Sequence, residues 1–268
     1  MSRFSARLLF FAAAAVGVIG CGSEPTMSGK VSDVWNGPVA GATVSVEGLT
    51  ENVTSGADGS FTLPVLSGKK RVKAGAEGYV HVLETIVFPE TRDPDAAGPD
   101  VKLILYPAPE STGFHLVNSQ GYSKLPGQGI DTTGTELNAY TGVEDPGDVK
   151  VGKKQRQRLV YRVEHEPHEI ARMGLELHRL DFVEEVPIPG PEGEETVKIN
   201  RFIAKGEPVE FDLKQLASDD CYLIVTQPDL APGYYAFHSE GLLTSNDVDA
   251  LDKTPEKLRK AYPFQIKE

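Results

Sequence analysis

The run His165-Glu166-Pro167-His168-Glu169 is the densest group of metal-ligating side chains in the sequence. Imidazole nitrogens bind zinc, and a nearby carboxylate can act as base toward zinc-bound water, so these residue types suit metal-assisted hydrolysis. The spacing does not suit the helical protease arrangement, which needs histidines at i and i+4 so that both face one ion. Position 169 is glutamate, and Pro167 interrupts any helix. In an extended strand, residues three apart point to opposite faces. A loop could still gather His165, His168 and His178 around one ion; the plainer reading is a solvated turn between two strands. The expectation is therefore that no metal and no other cofactor is held.

Other chemistry is weaker. Asp212, Asp219, Asp220, Glu184 and Glu185 could pair as glycosidase acids, but a chain with 39 acidic residues offers many such pairs by chance. No G-x-S-x-G elbow occurs, and no glycine-rich loop opens a helix. Cys221 lies in Asp219-Asp220-Cys221-Tyr222-Leu223-Ile224-Val225. A nucleophilic thiol needs a basic neighbour, and these neighbours are acidic, so Cys221 reads as a small buried hydrophobe. Trp35 is the single tryptophan and sits in the turn Val34-Trp35-Asn36-Gly37. An indole exposed there would stack on a sugar or a partner protein; otherwise it packs over the end of a β-sandwich. Tyr222, Tyr234, Tyr235 and Phe237 read chiefly as core.

The elements that would position these residues begin with a leader. Arg3 and Arg7 precede an apolar stretch from Leu8 to Ile19, and Val18-Ile19-Gly20-Cys21 closes it. A charged start, an apolar middle and a small residue at the cut describe a secretory signal over residues 1–20. The stretch falls short of the roughly 20 residues that span a bilayer. A cysteine just past the cut resembles the lipobox of bacterial lipoproteins. That resemblance implies lipidation of Cys21, a tether over residues 21–27, and a covalent lipid anchor in the bacterial cell envelope. The absence of aspartate after Cys21 favours the outer membrane. Removing residues 1–20 takes away two arginines and no acid, so the net charge moves from −12 to −14. That acidity excludes a nucleic-acid partner, since such binding depends on Lys and Arg neutralising phosphates. With Cys21 lipidated, Cys221 has no partner for a disulfide.

From Ser28 to Tyr106 the apolar residues recur with period two. Val44 and Val46 alternate with Thr43 and Ser45, Phe61 and Leu63 with Ser60 and Thr62, and Val72 and Ala74 with Arg71 and Lys73. Each is a half-buried strand. Asn36-Gly37, Asp58-Gly59, Ser67-Gly68 and Glu77-Gly78 supply turns between them. The residues Ser28-Gly29-Lys30-Val31, Gly37-Pro38-Val39-Ala40-Gly41-Ala42-Thr43-Val44, Thr54, Asp58-Gly59-Ser60-Phe61 and Gly78-Tyr79 together resemble the carboxypeptidase regulatory-like family. The resemblance implies a seven-stranded, transthyretin-like β-sandwich over residues 28–109, of the carbohydrate-binding-like fold group, closed by a strand at Val101–Leu105. It also implies an accessory module without catalytic residues, of a kind found beside peptidases, in outer-membrane receptors and in surface lipoproteins.

Pro107-Ala108-Pro109 is a short, stiff joint. Residues 110–268 carry further strand patterns, at 114–118, 137–141, 158–164, 172–180, 197–203, 209–213, 222–226, 233–238 and 264–267, with residues 121–135 and 143–154 read as loops. Pro187-Ile188-Pro189-Gly190-Pro191 reads as the turn between two of these strands. Thr254-Pro255-Glu256 opens a short helix whose Leu258, Ala261 and Tyr262 face the core. The whole is expected to be all-β: an N-terminal seven-stranded sandwich, then a second β-domain, read as another β-sandwich, with a short helix near the C-terminus. Its expected role is a non-enzymatic envelope lipoprotein that binds envelope proteins or glycans or serves a structural purpose. The alternatives are a carbohydrate-binding surface lipoprotein and a metal-dependent hydrolase built on His165 and His168.

Overall fold

The computed structural model describes residues 26–88, 101–135, 138–153, 156–163, 174–190, 193–218, 220–244 and 249–268. Cys21, the leader, His165 and His168 lie outside the described residues. Strand β1 (Thr26–Asp33) turns Met27, Gly29 and Val31 inward. Around it lie β2 (Thr43–Val46), β3 (Val53–Thr54), β4 (Ser60–Pro64), β5 (Gly68–Gly75), β6 (Tyr79–Val80), β7 (Val82–Phe88) and β8 (Val101–Pro107). They form two four-stranded sheets, in the orders β4-β1-β8-β6 and β3-β2-β5-β7. Among the described residues eight strands are present where seven were expected, two of them, β3 and β6, being two-residue pairings at sheet edges. The last two residues of the expected tether, Thr26 and Met27, already belong to β1, and Met27 is buried.

Two glycines of the quoted motifs have steric reasons. The Phe61 ring lies directly over Gly29, its partner across β1 and β4, so a Cβ at Gly29 would overlap it. Gly59 has φ +78, and a Cβ there would overlap the Val31 carbonyl oxygen. Its own carbonyl accepts from the Val31 amide at 2.8 Å, which locks the Asp58-Gly59 turn onto β1.

The remaining strands are β9 (Gly113–Val117), β10 (Tyr122–Lys124), β11 (Gln128–Gly129), β12 (Asp131–Thr135), β13 (Asn138–Gly142), β14 (Lys150–Gly152), β15 (Arg158–Arg162), β16 (Leu175–Gly190), β17 (Gly193–Lys205), β18 (Phe211–Gln215), β19 (Cys221–Thr226), β20 (Gly233–Ser239) and β21 (Lys260–Lys267). One sheet runs β10-β9-β15-β19-β18; a second runs β11-β21-β20-β16-β17, with β14 parallel to β21. Between them lies a core of Phe114, Leu116, Leu159, Tyr161 and Ile224 from the first sheet against Leu177, Tyr235, Phe237, Phe264 and Ile266 from the second.

The five-stranded sheet is buried on its other face as well. Val117, Val160, Leu216 and Cys221 join the same hydrophobic cluster as Val31, Leu63 and Leu105 of the N-terminal sandwich. That explains why Leu159-Val160-Tyr161 and Cys221-Tyr222-Leu223-Ile224-Val225 read as continuous apolar runs: strands covered on both faces lose the in–out alternation.

Four sequence expectations change. The segments read as loops contain β10, β11, β12 and β14, short strands without apolar alternation; β10 and β12 form local hairpins with β9 and β13, while β11 and β14 pair the distant β21. Pro187 and Pro189 lie within β16, paired with Thr196 and Glu194, so of the run expected to turn only its end stands at the reversal, where Gly190 pairs with Gly193. The pairing of β16 with β20 ends at Leu180, so beyond it no described strand pairs with that edge of β16, where a missing N–H costs no ladder bond. The helix expected from Thr254 is a single 3-10 turn, Glu256–Leu258, and Ala261 and Tyr262 belong to β21. The pairing of Tyr262 to Ile266 with β20 outweighs the start signal and the helix-forming run Glu256–Ala261 behind it, tertiary pairing overriding local propensity. The short α-helix present, α1 (Ala250–Lys253), lies just before it.

Candidate functional site

Trp35 is positioned by its own turn. The Asp33 carboxylate accepts from the Trp35 amide at 2.8 Å and the Gly37 amide at 2.7 Å, and Asn36 adopts φ +68. The indole is half-buried. Its N–H donates to the Asn118 carbonyl at 2.9 Å, and its ring meets Tyr122 edge-on at 5.5 Å. Tyr122 in turn donates its hydroxyl to the Pro107 carbonyl. Trp35 is thus a clamp between the N-terminal sandwich and the β9–β10 hairpin. It borders a cleft of about 490 Å³ shared with Asn118, Arg156 and Arg158. Two further contacts cross the same junction: the Ala217 amide donates to the His81 carbonyl at 2.8 Å, and Lys214 pairs with Glu84 at 2.6 Å.

Among the described residues, two of the acidic candidates are held in ion pairs with arginine. Asp212 lies 3.3 Å from Arg156, and Asp220 lies 3.1 Å from Arg162. Glu185 stands opposite Lys198 in the β16–β17 ladder. Asp219 lies outside the described residues.

Cys221 is buried, as the apolar run suggested. Burial first, then the Asp220 carboxylate, push its thiol up to about 12. Thiolate is the reacting form. With Cys21→Ser leaving a single thiol, alkylation of the folded chain at pH 8 is expected to run about a thousandfold slower than in urea. A folded rate within tenfold of the unfolded one would show that Cys221 is accessible and ionisable.

The densest chemistry among the described residues is on β16 and β20. Glu176 and His178 share a face two residues apart, and His238 stands directly across from Glu176. His178 and His238 are buried; Glu176 is half-buried. His178 Nδ1 lies 2.8 Å from His238 Nε2, and the rings stack with centroids 5.0 Å apart. Glu176 Oε2 lies 4.0 Å from Nδ1 of each imidazole and accepts from the Gly241 amide at 3.0 Å.

The proton positions follow from the partners. His238 Nδ1 is 2.7 Å from the Ser239 carbonyl, which only accepts, so this nitrogen carries the hydrogen. A neutral His238 then offers a lone pair at Nε2, and His178 Nδ1 donates to it. That leaves His178 Nε2 as a buried lone pair with no hydrogen-bond partner among the described residues. Burial lowers the His238 pKa to about 4. His178 is also lowered, by burial first, against the opposing pull of Glu176 and Glu207. Both rings are therefore neutral near pH 7.

Sequence reasoning named His178 and missed its companions. The alternation of Leu175 and Leu177 with Glu176 and His178 marks the histidine face as polar and solvent-facing. The structure covers that face with Leu180, Ala236, Leu242, Leu243 and Ala261. The available signal was His238 at the end of the apolar run Tyr234-Tyr235-Ala236-Phe237.

The fold and this cluster define an all-β chain of stacked sheets whose second half holds two buried imidazoles and a carboxylate. The family model of the carboxypeptidase regulatory-like domain matches residues 26–97. Among solved structures, the chain is similar to BcpA, the major pilin subunit of Bacillus cereus, at 10% identity over 90% of this chain and 67% of that one, with a TM-score of 0.24. Its D312A variant matches at 12% identity with the same coverage and score. A candidate carbohydrate-binding protein from Bacteroides uniformis matches at 9% identity over 80% of this chain and 87% of that one, with a TM-score of 0.18. Scores this low carry nothing about function.

Proposed function

We propose that this chain is a non-catalytic lipoprotein of the bacterial cell envelope, a stiff β-rich body that serves as a binding or structural module. The observation that carries the reading is the shared core. Val117, Val160, Leu216 and Cys221 are packed into the hydrophobic cluster of the N-terminal sandwich. Units joined only by a linker move independently, whereas units that share buried apolar surface are held in one orientation. The Trp35–Asn118 bond and the Glu84–Lys214 pair add to that coupling. The match of residues 26–97 to a regulatory-like rather than a catalytic domain supports the same reading. The leader and Cys21 supply the address: several acyl chains, at about 0.8 kcal/mol per buried methylene, hold a protein firmly at a membrane.

The test has two arms. Wild-type protein should fractionate with membranes and carry acyl chains on its N-terminal cysteine by mass spectrometry, and Cys21→Ser should be soluble and unmodified. A soluble, unlipidated wild type overturns the anchor. For the module, pull-down from solubilised membranes should retain envelope proteins or glycans above the level of an acylated unrelated domain. Hydrolytic turnover of a peptide or glycan substrate would overturn the non-catalytic reading.

A further inference from the structure

We propose that Glu176, His178 and His238 form a binding site for one divalent transition-metal ion of the zinc type, bridging β16 to β20. The ligand atoms the three side chains offer all lie within 4.8 Å of one another. Two imidazole nitrogens and one carboxylate oxygen are a donor set that zinc accepts, with a fourth position left for water.

Three features of the cluster suit an ion. The Ser239 carbonyl holds the His238 proton on Nδ1, so the Nε2 lone pair points at His178. A histidine that donates its far N–H to a backbone carbonyl is the usual second-layer support of a metal-ligating imidazole. Glu176 Oε2 is held in place by the Gly241 amide. Burial also keeps both rings in the neutral form that ligates.

The cluster also holds more lone pairs than protons. One hydrogen, on His178 Nδ1, lies between two imidazoles, and the Glu176 carboxylate stands 4.0 Å from that nitrogen. Such an acceptor-rich pocket suits a cation. On binding, the ion takes the place of the hydrogen between the rings. His178 gives Nδ1 to the metal and its proton shifts to Nε2, so the ring stays neutral and no net proton leaves it.

The movement required is small. Metal–ligand bonds of about 2.0–2.2 Å in tetrahedral geometry set ligand atoms about 3.3 Å apart. The imidazole separation of 2.8 Å must widen and the 4.0 Å between Glu176 Oε2 and His178 Nδ1 must close, each by less than about 1 Å, and the Glu176 carboxylate must turn toward His238 Nε2. Rotation of a glutamate and two rings supplies that while the β16–β20 ladder stays in register. The ion would fasten β16 to β20 where the Gly241–Leu243 segment folds back over them.

The experiment uses the full chain, stripped with a chelator and then dialysed against zinc. The expected result is one zinc retained per chain, a raised thermal midpoint, and visible bands of tetrahedral cobalt on substitution with that ion. Glu176→Gln and His238→Gln should each weaken zinc binding by at least tenfold while circular dichroism stays strand-like. A His165→Ala/His168→Ala double variant should bind like wild type. Wild-type protein that retains no stoichiometric zinc and shows no thermal shift overturns the proposal. So does zinc binding that survives both glutamine variants but is lost with His165 and His168. If the glutamine variants do not fold, the wild-type stoichiometry and the cobalt spectrum decide.

Discussion

Replacing Phe237 with alanine is expected to destabilise the protein by about 3–5 kcal/mol. Phe237 is fully buried and is the hub of an aromatic group. It stacks on Phe114 at 5.4 Å and on Phe264 at 6.0 Å, and meets Phe211 edge-on at 5.5 Å. Those partners come from both sheets of the second half, so the cavity left by truncation has walls that cannot collapse together without shifting strand pairing. The loss should also reach the N-terminal sandwich, because the five-stranded sheet that carries Phe114 also packs on the Val31–Leu105 core. Trp35 is the single tryptophan and sits at that junction, which makes its fluorescence a built-in probe. Urea unfolding should show the fluorescence and circular-dichroism midpoints falling together in Phe237→Ala. A circular-dichroism midpoint that falls while Trp35 reports an unchanged transition would show that the two halves unfold independently.

Acidifying chelator-treated protein from pH 7 to below pH 4 is expected to remove about 3 kcal/mol of stability through His238. In the unfolded chain this imidazole takes a proton near its ordinary value of 6.5; in the folded protein it does so only near 4. Between those values the unfolded state binds more protons than the folded one. The contribution is therefore complete above pH 6.5, shrinks as pH falls, and is gone below about 4. His178 shifts in the same direction and adds to the loss, tempered by the Glu176 and Glu207 carboxylates that favour its charged form. The comparison to make is urea midpoint against pH for wild type and His238→Gln. The wild-type curve should fall more steeply between pH 6.5 and pH 4, and parallel curves would rule out a neutral buried His238.

What was legible in the sequence is local. Period-two alternation at Val44–Val46, Phe61–Leu63 and Val72–Ala74 marks β2, β4 and β5, because a strand with one covered face must alternate. Asn36, Gly59, Gly68 and Gly78 adopt positive φ where the turns were read, because those residue types tolerate that region. The acidic surroundings and apolar run of Cys221 marked a buried, inert thiol from sequence alone. Resemblance to the regulatory-like domain was likewise legible, since its motif residues keep their order along the chain.

Only the tertiary structure decided which distant segments meet. Trp35 could face a sugar or a core; its indole bonds to a carbonyl 83 residues away, and neither turn chemistry nor hydropathy encodes that choice. Pro187-Ile188-Pro189 carries every mark of a turn, and its place in β16 depends on a sheet edge with which no described strand pairs, which no local pattern encodes. His178 and His238 lie 60 residues apart, and their meeting rests on the β16–β20 register, where a slip of one residue would send them to opposite faces. Alternation reports that a strand has two unlike faces. Which faces are covered, and which side chains are trapped between them, is set by the packing of whole sheets.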